Sequence, residues 1–178
     1  MNLQNFYDIV IITIIDKSIL ILGGITMAVK KDEEINNFKL KDHNEKKVEL
    51  QNFTDKKVLL SFHPLAWTSV CTKQMKALDQ NYDIFSANNT VPLGISVDPV
   101  PSKKAWAKDM GLENLKLLSD FWPHGDLSRE LNVFVDKYGF SGRVNILINK
   151  DKEVIWVKEY KLKELPDIDE VISKVEEF

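Results

Sequence analysis

From residue 35 onward, short runs of β-forming residues alternate with stretches of helical periodicity. Ile35–Leu40 and Val48–Leu50 predict a small hairpin across the polar turn His43-Asn44-Glu45, and Lys57–Phe62 predicts a buried strand. Met75, Leu78, Tyr82 and Phe85 recur at helical spacing, so a helix of about four turns is expected to begin near Val70. Thr90–Val97 reads as the next strand. Ser102 is placed to cap a helix that runs to Gly111, whose missing Cβ suits a helix stop. Lys116–Leu118 predicts a further short strand and Asp126–Leu131 a short helix. Val144–Ile148 and Glu153–Lys158 flank Asn149-Lys150-Asp151-Lys152 as a hairpin, and Ile168, Val171, Ile172 and Val175 mark a closing amphipathic helix. The alternation predicts an α/β fold around a central sheet, without repeats or an internal linker.

Residues 1–27 break this pattern as an apolar extension. The runs Ile9–Ile15 and Ile19–Leu22 raise the question of a membrane span, but Asp16 and Lys17 lie between them and the stretch is short for the ~20 residues a span needs. A secretory signal is also disfavoured, because residues 1–8 carry only Asp8 as a charge and no A-x-A site follows. Met27-Ala28-Val29-Lys30-Lys31 has the character of an ordinary cytosolic start. Residues 28–178 are therefore taken as the functional domain.

Composition narrows the classes. With 44% hydrophobic and 29% charged residues, the 178-residue chain has enough apolar surface for one core, too much for a disordered segment. Twenty-four Lys plus Arg against 27 Asp plus Glu leave no positive surplus to hold a phosphate backbone, so nucleic acid is not an expected partner. A single cysteine forms no internal disulfide, which fits a reducing, cytoplasmic compartment.

That cysteine, Cys71, stands where a predicted buried strand gives way to a predicted helix, in Phe62-His63-Pro64-Leu65-Ala66-Trp67-Thr68-Ser69-Val70-Cys71. Orphan N–H groups and the positive end of the helix dipole favour a thiolate at such a position. A small buried hydrophobe is the alternative reading.

Pro64, Thr68 and Cys71 match the P-x-x-x-T-x-x-C pattern, and in this the chain resembles the peroxiredoxins, thiol peroxidases that reduce hydrogen peroxide and organic hydroperoxides. Ser119-Asp120-Phe121-Trp122-Pro123-His124-Gly125 and the stretch from Gly139 to Asp151, containing Arg143, are similar to the corresponding parts of the one-cysteine, alkyl hydroperoxide reductase E-type branch. The resemblance implies a thioredoxin-like fold with an N-terminal β-hairpin and inserted elements. It implies a peroxidatic role for Cys71, active-site roles for Pro64, Thr68 and Arg143, and a homodimer. It calls for no cofactor and no metal.

Each role has a physical reason. A thiolate attacks a peroxide along the O–O axis while the departing oxygen gains charge, so donors must face both oxygens. Arg143, Thr68 and amides near Cys71 are the candidate donors, and Pro64 covers the sulfur without adding an N–H. Taken singly, Thr68 also reads as a turn hydroxyl, Pro64 as a strand terminator and Arg143 as an exposed strand charge. Only two arginines occur; Arg129, the other, reads as a helix-surface residue beside acids. Lowering a thiol pKa from about 8.5 to about 6 raises its thiolate fraction at pH 7 roughly 30-fold, but the accompanying loss of nucleophilicity removes roughly 13-fold. Fast peroxide reduction must therefore come mostly from stabilising the O–O transition state.

His63, Trp67, Val70 and Gln74 are expected to line the substrate pocket. His63 also suits a structural hydrogen bond at a strand end, and Trp67 an apolar wall. Gln74 departs from the glutamate that many peroxiredoxins carry three residues after the cysteine, keeping hydrogen-bonding capacity without the charge. With no second thiol in the chain, the sulfenic acid at Cys71 must be resolved from outside, by a thioredoxin-, glutaredoxin- or mycoredoxin-type protein or a low-molecular-weight thiol. A disulfide oxidoreductase would need C-x-x-C, where this chain has Thr68-Ser69-Val70-Cys71. A metal site built from His43, His63, His124 and Cys71 lacks short ligand spacing. The competing reading on the same cysteine is a redox sensor or chaperone-like binder that does not turn over.

Overall fold

A computed structural model describes residues 28–178, so the apolar extension and the readings placed on it lie outside the described residues. Among these residues no helix is long and apolar enough to cross a membrane.

The apolar runs build the centre of the fold. Strands β3 (Lys57–Phe62), β4 (Thr90–Ser96) and β8 (Arg143–Ile148) are buried along almost their whole length, as expected of strands covered on both faces. β3 and β4 are parallel to each other and β4 to β5 (Lys116–Ser119), while β8 runs antiparallel to β3 and β9 (Val154–Tyr160) antiparallel to β8. The N-terminal hairpin, β1 (Lys39–Asp42) and β2 (Lys47–Glu49), joins the far edge through β1 and β5, giving the order β2-β1-β5-β4-β3-β8-β9. This is the α/β, thioredoxin-like arrangement with an added hairpin. The short helix α4 (Asp126–Glu130) and the ribbon β6 (Phe134–Val135) with β7 (Phe140–Ser141) form the inserted elements between β5 and β8.

Period-two alternation divides β3 and β8 between two cores. Val58, Leu60, Phe62, Val144, Ile146 and Ile148 pack in one layer with Leu127, Leu131 and Val133. Leu59 and Leu147 pack in the other with Cys71, Met75, Trp106 and Val171, beneath α1 (Ser69–Gln80), α3 (Val100–Met110) and α5 (Ile168–Glu177). Gly94 on β4 lets α1 approach: a Cβ there would clash with Met75 Sδ and meet Leu117 Cδ2 at 2.8 Å.

Three details correct the sequence reading. The single helix expected from Val70 to Phe85 is broken at Asn81 into α1 and α2 (Tyr82–Ala87), Asn81 Nδ2 donating to Ala77 O at 2.8 Å. The apolar residues keep one face across the break, which is why their spacing hides it. Ser102 does not cap α3; Pro99 precedes the first turn, and Ser102 lies inside the helix. The first strand begins at Lys39, with Ile35 buried in an irregular lead-in. Gly111 ends α3 in the left-handed conformation, φ 68°, as its position predicted.

Candidate active site

Cys71 is the third residue of α1. The helix's first backbone bond runs from Thr72 N–H to Thr68 O at 2.9 Å, so the amides of Val70 and Cys71 have no backbone acceptor among the described residues. These donors and the helix dipole lie beside the sulfur. Cys71 itself is fully buried.

Arg143 reaches the sulfur from the sheet. Register alternation turns Arg143, Asn145 and Leu147 toward α1, and Arg143 Nη2 lies 3.5 Å from Cys71 Sγ. The same nitrogen donates to Leu162 O at 2.8 Å, and Nη1 donates to Gln74 Oε1. Gln74 Nε2 donates to Ser61 Oγ at 2.8 Å, and Ser61 Oγ donates to Asn145 Oδ1 at 2.8 Å. Asn145 and Ser61 are register partners on β8 and β3, and Asn145 Nδ2 reaches Tyr160 OH at 3.5 Å. A buried polar chain therefore holds the guanidinium against the sulfur. Burial pushes the Tyr160 hydroxyl up, so it stays protonated.

The loop from Pro64 to Thr68 closes the opposite side. Pro64 is buried, and Thr68 is exposed with its hydroxyl donating to Leu65 O at 3.0 Å. That bond directs the Thr68 hydroxyl proton into the loop and leaves the oxygen's lone pairs as acceptors. Trp67 is half exposed rather than a buried wall, sits at φ 66° and donates Nε1 to Ser102 Oγ at 3.1 Å. Val70 is half-buried beside it. A cleft of about 500 Å³ lies on the other side of Arg143, lined by Val133, Val135, Tyr160 and Leu162 but not by Cys71. Contact between the sulfur and a bulky thiol thus requires the loop or the first turn of α1 to open.

His63 is fully buried, and among the described residues neither ring nitrogen has a partner at hydrogen-bond geometry, so the structural hydrogen bond expected of its ring is not found there. Its ring packs at 5.3 Å on Trp106. Desolvation, then the nearby Lys103 and Arg143 charges, hold its pKa well below 6.5, against a weak opposing contribution from the Leu65 backbone. Arg129 pairs with Asp136 at 2.5 Å on the surface and lies over the Phe134 ring, away from the sulfur.

Sequence reasoning missed Ser61, Asn145, Tyr160 and Lys103. Lys103 on α3 has no exposed surface; burial lowers its pKa to about 7, although Asp98, Asp120 and Cys71 oppose the shift. Its signal was present: Lys103 shares the buried stripe of Trp106, Ala107 and Met110.

These two buried bases set a pH dependence of stability. Below pH 6.5 the unfolded chain takes up a proton at His63 that the native state refuses, so stability falls as pH drops below that value. Between about 7 and 10.5 the unfolded chain holds a proton on Lys103 that the native state releases, so stability climbs with pH across that window. Urea midpoints are expected to rise from acid to alkaline pH, each group contributing at most about 1.4 kcal/mol per pH unit. His63→Phe should flatten the acid arm; an unchanged arm would show that His63 titrates normally.

Comparison with known proteins gives a consistent picture. The model of the AhpC/TSA family matches residues 32–157. The chain is 36% identical over 115 residues to alkyl hydroperoxide reductase E of Mycobacterium tuberculosis, an alignment covering 64% of this chain and 74% of the relative. The reduced 2-Cys peroxiredoxin of Plasmodium vivax superposes with a TM-score of 0.74 at 30% identity, covering 84% of this chain and 81% of that one. Enterococcus faecalis AhpC superposes with a TM-score of 0.78 at 19% identity, covering 85% and 92%, a likeness of fold.

Proposed function

The chain belongs to the AhpC/TSA family, the peroxiredoxins, and from that premise we propose how its residues divide the work of a thiol-dependent peroxidase. Cys71 attacks one peroxide oxygen as a thiolate: the S–O bond forms, the O–O bond breaks, and the leaving oxygen takes a proton and departs as water or an alcohol. The product is a sulfenic acid at Cys71. Arg143, 3.5 Å from the sulfur, and the free amides of Val70 and Cys71 stabilise the charge spreading over the oxygens. Thr68 accepts a hydrogen bond from the hydroxyl of the attacked oxygen, which keeps its hydrogen in the sulfenic acid, while Pro64 excludes water and Gln74 holds Arg143. The observation that carries this reading is the meeting of Cys71 with a buried, hydrogen-bonded guanidinium.

With one cysteine in the chain, an external thiol resolves the cycle. It attacks the sulfenic sulfur to give a mixed disulfide and water, and a second thiol releases Cys71. We assign the protein to the cytoplasm, where such thiols are supplied, and to a homodimer. The dimer is favoured by exposed apolar side chains at the start of α3, where Trp122, 82% exposed, and Phe121 line one cleft with Val100, Pro101 and Leu40.

Repeated peroxide consumption separates the peroxidase from a sensor. Supplied in turn with thioredoxin, glutaredoxin, mycoredoxin and a low-molecular-weight thiol, the full chain is expected to consume many equivalents of peroxide with at least one. Consumption that stops at one equivalent with every donor would favour the sensor.

A further inference from the structure

The fully buried ammonium of Lys103 has no part in the chemistry above, and lysine is seldom found without any exposed surface. Its Nζ donates to Ser96 Oγ at 2.6 Å. Ser96 Oγ donates to Asp98 Oδ2 at 2.7 Å, and the same oxygen accepts the Ala66 N–H at 2.8 Å. Beside this relay Ser102 accepts from Trp67, while Trp106 donates to Thr72 at 3.3 Å and packs on His63. One helix, α3, therefore grips the Cys71 loop on both sides.

The loop needs that grip. Trp67 at φ 66° is a bulky residue in the left-handed region, a conformation that persists only where its surroundings over-determine it. We propose that Lys103 is a positioning residue for peroxide reduction: through Ser96 and Asp98 it fixes the Ala66 amide, and with it the loop that holds the cysteine closed toward Arg143. This inference rests on the function assigned above.

The groups facing Lys103 are Asp98 and Asp120 from the loops after β4 and β5, Cys71 on α1, His63 after β3 and His43 in the hairpin turn. The three acids favour the ammonium, while burial works against it and leaves it titrating at about 7. A lysine kept only for packing would serve better as methionine, which fills similar space without a buried charge.

The test uses Lys103→Met and Ser96→Ala in the full chain, comparing Cys71 oxidation by hydrogen peroxide with its alkylation by iodoacetamide. The wild type must first consume peroxide; if it does not, the assigned function fails rather than this inference. In both variants alkylation is expected to quicken and oxidation to slow, lowering their ratio by about fivefold or more. The loss should be largest below pH of about 7, where wild-type Lys103 is charged. The double variant should be no worse than the worse single, because both changes cut one relay. A merely structural lysine would move stability and leave the ratio alone. A ratio within about twofold of wild type, or a loss independent of pH, in whichever variant folds overturns the proposal.

Discussion

Arg143→Ala is expected to lower the second-order rate of Cys71 oxidation by hydrogen peroxide by about 10²–10³-fold, the loss typical of removing a preorganised donor from an oxyanion site. The guanidinium carries two assets at once: a permanent charge and a fork whose nitrogens are separately held. Nη1 is fixed by Gln74, and Nη2 is shared between Leu162 O and the sulfur. Arg143→Lys should recover only part of the rate, since a single ammonium cannot hold Gln74, Leu162 and a peroxide oxygen together. Stopped-flow tryptophan fluorescence supplies the measurement, with Trp67 and Trp106 as nearby reporters. A loss under about tenfold would assign the transition-state charge to other donors, the helix amides foremost.

Gln74→Met carries the second large effect, and it falls on stability as well as rate. The substitution keeps the volume but removes the acceptor of Arg143 Nη1 and the donor to Ser61 Oγ, both inside the core. A hydrogen bond to a buried charge is worth about 1.5–3 kcal/mol, and Ser61 is left short of a partner as well. A loss of about 2–3 kcal/mol follows, lowering the melting temperature by about 5–10 °C. If about 2 kcal/mol of the Arg143 alignment is lost in the transition state, the peroxide rate falls roughly 30-fold. Gln74→Glu restores an acceptor for Arg143 and should recover most of the stability while blunting the positive field at the sulfur. A Gln74→Met protein as stable and fast as wild type would remove Gln74 from the site.

The residues that could be read from the chain, and those that could not, divide along physical lines. Buried strands announce themselves because β3 and β8 need apolar side chains on both faces, and Gly111 does so because few other residues accept its backbone angle. The loop proposed to hold the peroxidatic cysteine is marked in the sequence by the P-x-x-x-T-x-x-C resemblance of Pro64, Thr68 and Cys71, which lie within one strand-to-helix turn. The break at Asn81 was hidden because it leaves the apolar face intact. Ser102 was misread as a cap because its partner, Trp67, is distant in sequence. Ser61 and Asn145 interrupt otherwise apolar strands on the Arg143 side, a polar pairing that register alone reveals. Lys103 reads as one more surface lysine until the helix stripe of Trp106 and Met110 is drawn through it.

The central claim is that Arg143 acts on the breaking O–O bond, and the most direct measurement of it is a ratio on wild type and Arg143→Ala at one pH. Cys71 oxidation by hydrogen peroxide is divided by Cys71 alkylation with iodoacetamide, which uses the same thiolate but breaks no O–O bond. The ratio should collapse by about 10²-fold or more in the variant. If both rates fall in proportion, Arg143 does no more than set how much thiolate is present, and the claim is contradicted.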